Sequence, residues 1–184
     1  AQHQLFRPND IIVIPDGGDN LGATIEVAEK NLLWLRFVVS GKQTHGSRPD
    51  EGINATLAGC DLALRLNNLE TVFGQRDELF DPPYSTFQPT KKEANVPNIN
   101  TIPGEDVFCM DCRILPCYTL AQVRKEVNRC VAEVEEKYGV KVQYTEPQAV
   151  ESPATPADAP VARRLSEAVK AVSGVEARPI GIGG

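Results

Sequence analysis

Gly41-Lys42-Gln43-Thr44-His45-Gly46-Ser47-Arg48-Pro49, followed shortly by Gly52-Ile53-Asn54-Ala55, divides two kinds of sequence. Before it, residues 32–39 alternate. Leu33, Leu35, Phe37 and Val39 share one face and Leu32, Trp34 and Val38 the other, the period-two signature of a strand. After it, residues 54–68 read as a helix. Ile53, Leu57, Cys60, Asp61 and Leu64 follow the helical repeat, so that stripe is expected to face the core with Asp61 at its edge. Gly41, Gly46 and Pro49 break regular structure, which puts His45 in a loop between strand and helix, where a ligand can reach it. Taken alone, such a histidine is as readily a solvated residue making a local hydrogen bond.

Downstream, residues 69–84 carry Gly74, Pro82 and Pro83 and read as an irregular connection, and residues 85–90 as a second strand. A loop rich in asparagine follows, Val96-Pro97-Asn98-Ile99-Asn100-Thr101-Ile102-Pro103-Gly104, where asparagines commonly do turn work. Residues 105–115 alternate again: Phe108, Met110, Cys112 and Ile114 make an apolar face, while Asp111 and Arg113 point the other way. Arg113 is placed either to pair with Asp111 or to hold a ligand. Cys109 and Cys112 fall on opposite sides of this strand, so their C-x-x-C spacing makes neither a metal knuckle nor a redox motif. Thr119 and Gln122 form a capping box, after which Leu120, Val123, Val127, Cys130, Val131, Val134 and Tyr138 hold one stripe up to Gly139. Residues 140–144 alternate as a last strand. The order strand, helix, strand, strand, helix, strand over residues 31–149 predicts an α+β, ferredoxin-like βαββαβ sandwich. Its sheet would be antiparallel and four-stranded, with two helices on one face.

The flanks differ in kind. Residues 10–15 form a continuous apolar run, as in a strand of a parallel sheet covered on both faces. It ends at Asp16, which is either a turn former or, at the C-terminal end of such a strand, a ligand-binding residue. Asp19 stands close by. Residues 151–160 are rich in proline and alanine and read as a linker. Asp158 opens a third helix through Val161, Leu165, Val169 and Val172, and residues 178–182 form a strand leading into Gly183-Gly184. Both ends look like cuts through an α/β domain, as in a segment of a longer protein: residues 1–30 and 150–184 would be pieces of it, flanking a domain at 31–149.

The 184 residues carry a formal charge of −6, a composition that argues against a nucleic-acid partner. Five cysteines, an odd number without framework spacing, suggest reduced thiols and a cytoplasmic protein. No apolar run has transmembrane length, so no membrane partner is expected.

Three stretches occur together in order: G-K-Q-T-H-G-S-x-P with G-x-N-A at 41–55, N-T-I-P-G at 100–104, and D-C-R at 111–113, ten residues after the loop proline. Together they resemble the lid, or dimerisation, domain of the M20 metallopeptidase family. That family includes carboxypeptidases, aminoacylases, acetylornithine deacetylase and succinyl-diaminopimelate desuccinylase. The resemblance implies a zinc-dependent amidohydrolase or peptidase parent, in which two zinc ions and a bridging water cleave amide bonds of N-acyl amino acids or small peptides bearing a carboxylate. It implies that His45 is catalytic, reaching a partner subunit's active site to stabilise the tetrahedral oxyanion. Asn100 and Arg113 would bind the substrate's carboxylate end, Asp16 would be a metal ligand, and the lid would form a homodimer through sheet edges and a helix. With no H-x-D and only two histidines, the fragment is expected to bind no zinc stably and to be inactive alone. The alternative is a non-enzymatic, amino-acid-binding ferredoxin-like sensor domain. It explains the fold equally well but not the three motifs in order.

Overall fold

The computed structural model describes residues 7, 10–15 and 18–183. In chain order it holds β1 (Thr24–Glu29), β2 (Asn31–Ser40), β3 (Thr44–His45), a short 3-10 turn (Pro49–Glu51), α1 (Ala55–Asn67), α2 (Leu69–Val72), β4 (Thr86–Lys92), β5 (Thr101–Ile102), β6 (Glu105–Ile114), α3 (Leu120–Tyr138), β7 (Lys141–Val150), α4 (Pro160–Ser173) and β8 (Arg178–Ile182). It separates into two units. Residues 29–153 with 182–184 form the larger, and residues 1–28 with 154–181 the smaller.

In the larger unit a four-stranded sheet runs β4-β6-β2-β7, every neighbouring pair antiparallel. This is the ferredoxin-like order expected from the element pattern. Both long helices cover one face. Leu33, Leu35, Phe37 and Val39 of β2 stand beside Ile114, Cys112, Met110 and Phe108 of β6, all almost fully buried under Val123, Val127, Cys130 and Val134 of α3 and Ala55, Ala58, Leu62 and Leu66 of α1. Phe37 stacks on Phe108 with ring centroids 5.0 Å apart. Burial raises the Cys112 thiol to about 12, which keeps it protonated and inert. The helix α3 starts on the expected capping box, with the Thr119 side chain accepting from the Gln122 backbone and Gln122 reaching back, and Gly139 closes it in the left-handed conformation.

Three expectations are corrected. The buried side of α1 is Ala55, Ala58, Gly59, Leu62 and Leu66, not the stripe through Leu57 and Leu64, which are 55% and 71% exposed. The cause is steric. At the sheet end of α1 the Asp106 carboxylate lies against Gly59, and a methyl group there would overlap it. Such close approach selects the small residues and turns the larger ones outward. Residues 10–15 form no strand, and Ile11, Ile12, Val13 and Ile14 are at least half exposed. No strand among the described residues pairs with this run, and an unpaired backbone holds no strand. Finally, β7 extends to Val150 through Pro147, which an edge strand tolerates because its outer N–H has no partner to lose.

In the smaller unit β1, whose Ile25 and Val27 are buried, pairs with β8, and α4 caps out at Gly174. Among the described residues no helix is long and apolar enough to cross a membrane.

Candidate functional site

The segment carrying His45 is a narrow strap laid across the end of β2 and β6. Gly41 donates its N–H to the Gly104 carbonyl at 2.8 Å, Lys42 and Ile53 bridge one another, and Ala55 N–H, at the start of α1, bonds Pro103 O at 3.1 Å. A side chain at Gly41 would overlap the Ile53 carbonyl, so only glycine lets these backbones meet. Beyond this clasp, β3 and β5 form a two-stranded ribbon with His45 opposite Thr101, and Gly46 N–H bonds the Asn100 carbonyl. The ribbon brings the two expected residues together. Asn100 Nδ2 lies 3.4 Å from His45 Nε2.

The other ring nitrogen is occupied. His45 Nδ1 stands 2.8 Å from Ser47 Oγ and accepts the Ser47 backbone N–H at 3.2 Å. Both His45 and Asn100 are exposed, so their outward atoms can meet a ligand. A donor on Nε2 beside the Asn100 carboxamide can polarise a carbonyl oxygen and stabilise negative charge that develops on it.

The 93–103 loop carrying Asn100 is anchored at its base. Asp106 is fully buried on the core face and accepts from Lys92 Nζ at 2.6 Å and Thr56 Oγ1 at 3.2 Å, while Asn95 Nδ2 bonds that same threonine hydroxyl at 2.8 Å. A fully desolvated carboxylate is costly unless satisfied in this way. The apolar alternation of β6 gave no sign of it, because Asp106 falls in the core row.

Arg113 lies elsewhere. Ser40 pairs with Glu105 at the strap's end of the sheet and Leu32 with Arg113 at the other, a separation of eight residues or roughly 26 Å along the strand. Of the two arrangements open to Arg113, the pair with Asp111 forms: Nε donates to Oδ1 at 2.6 Å and Nη2 to Oδ2 at 3.0 Å. Those bonds, more than the opposing effect of burial, push the guanidinium pKa above its ordinary value. Nη1 donates to the Gly183 carbonyl at 3.0 Å, and Trp34 Nε1 completes the group by donating to Asp111 Oδ2 at 3.2 Å. All of this sits on the sheet face away from the helices. The structure therefore joins His45 with Asn100 and separates both from Arg113.

Asp16 lies outside the described residues. Its neighbour Asp19 does turn work, accepting from the Leu21 and Ala23 backbones at 3.0 and 2.8 Å, and the Ala23 bond leads in lowering its pKa. Among the described residues no group of three His, Cys, Asp or Glu side chains could hold a metal ion. A second buried charge, like Asp106, escaped sequence reading. Lys30 is 2% exposed and donates to the Pro82 and Tyr84 carbonyls at 2.8 and 2.7 Å, fastening the 74–85 connection, while burial lowers its pKa. It follows directly on β1 with no pattern to mark it.

The model of one family, described as a peptidase dimerisation domain, matches residues 27–139. An uncharacterised metallohydrolase of Methanocaldococcus jannaschii is 36% identical over 193 aligned residues, covering 100% of this chain and 47% of that protein. The chain spans about half the length of the curated relatives it matches. Among solved structures, a tripeptidase from Staphylococcus aureus has a TM-score of 0.73 at 19% identity, covering 92% of this chain and 42% of that one. A hydantoinase/carbamoylase-family amidase from Burkholderia vietnamiensis has a TM-score of 0.70 at 16% identity, covering 85% and 36%. At these identities the likeness to the solved structures is one of fold.

Proposed function

The chain belongs to the M20 peptidase dimerisation-domain family, and from that premise we propose that it is the lid of a metal-dependent hydrolase that cleaves amide bonds in N-acyl amino acids or small peptides. The observation that carries this reading is the pairing of His45 with Asn100 on a clasped ribbon, with Nδ1 already engaged and Nε2 facing outward. In this role Nε2–H donates to the scissile carbonyl oxygen as it gains negative charge, with the Asn100 carboxamide beside it. Arg113, oriented by Asp111, is this chain's candidate to grip the substrate carboxylate.

The distance between the two ends of the sheet supports a shared active site. One copy cannot set His45 and Arg113 on the same small substrate when roughly 26 Å of strand divides them. A symmetric pair of copies can, each offering His45 and Asn100 to the site that holds the other's Arg113. The exposed stripe of α1 favours the same assembly. Leu57 and Leu64 lie outward on the helix that packs over β4, an edge strand, and a second copy would cover them.

The described residues do not fit a metal site, so the zinc of this reading would be held by other parts of the full-length protein, with Asp16 as this chain's candidate contribution. On the same reading residues 31–149 are the lid, and residues 1–30 and 150–184 belong to the catalytic domain. Alone, the chain is expected to turn over no substrate.

The test is His45→Ala in the full-length protein, assayed on a panel of N-acyl amino acids and short peptides. We expect kcat to fall about 100- to 1,000-fold with metal content unchanged, the usual cost of one oxyanion donor. Unchanged turnover would remove His45 from the mechanism. A metal-free, inactive protein that binds free amino acids regardless of His45 would be the sensor instead.

A further inference from the structure

We propose that Ser47 is a positioning residue that fixes the tautomer of His45, keeping Nδ1 unprotonated and Nε2–H as the outward donor. The inference rests on the contacts of one ring nitrogen. Two groups of Ser47 approach Nδ1, the hydroxyl at 2.8 Å and the backbone N–H at 3.2 Å. A hydroxyl can donate or accept, so by itself it would leave the tautomer open. A backbone N–H can only donate. If Nδ1 carried the proton, that N–H would face another donor, and the contact would become repulsive. The backbone therefore decides the direction of the shorter bond as well. Nδ1 offers its lone pair, the Ser47 hydroxyl donates into it, and the ring proton goes to Nε2.

The geometry is local and firmly built. Gly46, between the two residues, is pinned by its N–H to the Asn100 carbonyl, and the Arg48 N–H returns to the His45 carbonyl at 2.9 Å. The turn that offers the Ser47 N–H to the ring is the same one that holds Asn100 against Nε2. On the other side of the ring, Asn100 Nδ2 is 3.4 Å from Nε2. With the proton on Nε2, these are two donors side by side that cannot bond each other. They converge on a single acceptor oxygen, or the amide turns to present its own oxygen until that acceptor arrives.

This deepens the proposed function, on which only its catalytic consequence rests. The tautomer itself can be read without any turnover. The full-length protein, labelled with 15N at histidine, is measured where the ring is neutral, with His45→Gln identifying the resonances. We expect Nδ1 to resonate as an unprotonated nitrogen and Nε2 as a protonated one. In Ser47→Ala only the longer backbone bond still selects the tautomer, so the two resonances should move part of the way toward each other, and Ser47→Thr, which keeps the hydroxyl, should restore the separation. Loss of one neutral hydrogen bond implies a fall in kcat of about fivefold in Ser47→Ala with KM unchanged, recovered in Ser47→Thr. A wild-type ring with its proton on Nδ1 would overturn the proposal, and needs no folded variant. So would a resonance pair indifferent to Ser47→Ala. The expected tautomer in a protein that hydrolyses no amide would uphold the role of Ser47 while sinking the hydrolase reading.

Discussion

Residues differ in how plainly their partners can be read from sequence. His45 and Asn100 stand 55 positions apart, and only the three motifs in order tied them to one site; the structure then sets them 3.4 Å apart. Ser47 and Asp111 were present in those same stretches, and Trp34 in the strand before them, yet nothing in their spacing says which atom each engages. Period two put Trp34 and Arg113 on outer faces of their own strands. It could not say that β2 and β6 are neighbours in a register that sets Trp34 opposite Asp111. The buried Asp106 and Lys30 were hidden for a similar reason, since satisfying a desolvated charge needs partners from remote segments. At this scale the geometry of Arg113 makes its own prediction. Asp111 takes Nε and Nη2 in a two-pronged bond, which a lysine ammonium cannot reproduce. On the proposed function, Arg113→Lys in the full-length protein should raise KM for carboxylate-bearing substrates about tenfold, leaving kcat little changed. The same KM in both proteins would remove Arg113 from carboxylate binding.

Elements were legible where local chemistry specifies them. The α3 helix begins and ends as its capping box and Gly139 demand, and the strands β2 and β6 alternate as their residues do. The helix α1 was placed correctly but rotated wrongly. Hydrophobic periodicity favours the largest side chains, and here the sheet needs a close approach that only Ala55, Ala58 and Gly59 allow. The fault lies in ranking residues by transfer energy when the contact is decided by volume. Gly59→Ala isolates that cause. The added methyl would press on the fully buried Asp106 carboxylate and through it on Thr56 and Lys92. We expect a loss of about 1–3 kcal/mol in urea unfolding, the usual range for overpacking, although alanine is the better helix former. A stabilised variant would mean that α1 sits further from the sheet than described.

The whole molecule was legible as a ferredoxin-like unit because its element order admits few topologies. Its flanks were less so, since the run at residues 10–15 lacks the neighbours that would make it a strand. Sharing of active sites between copies can be tested at this scale by complementation. His45→Ala and Arg113→Ala full-length proteins are each expected to be impaired. Mixed at equal amounts and allowed to exchange subunits, half of the dimers are hybrids, and each hybrid holds one intact site of two. Activity should recover to about a quarter of wild type, following the symmetry of the pair. If both residues served the same site from one copy, the mixture would stay inactive.

The chain of bonds from Trp34 through Asp111 to Arg113 has an optical consequence. Trp34 is the one tryptophan among these 184 residues, and its indole N–H is committed to the carboxylate that steadies the guanidinium. On the proposed reading a carboxylate that binds Arg113 competes with Asp111 for the guanidinium, and the indole bonded to Asp111 would feel the exchange as a change in its own surroundings. A shift of Trp34 emission when an N-acyl amino acid is added to the full-length protein is therefore expected if Arg113 holds the carboxylate, and none if it does not.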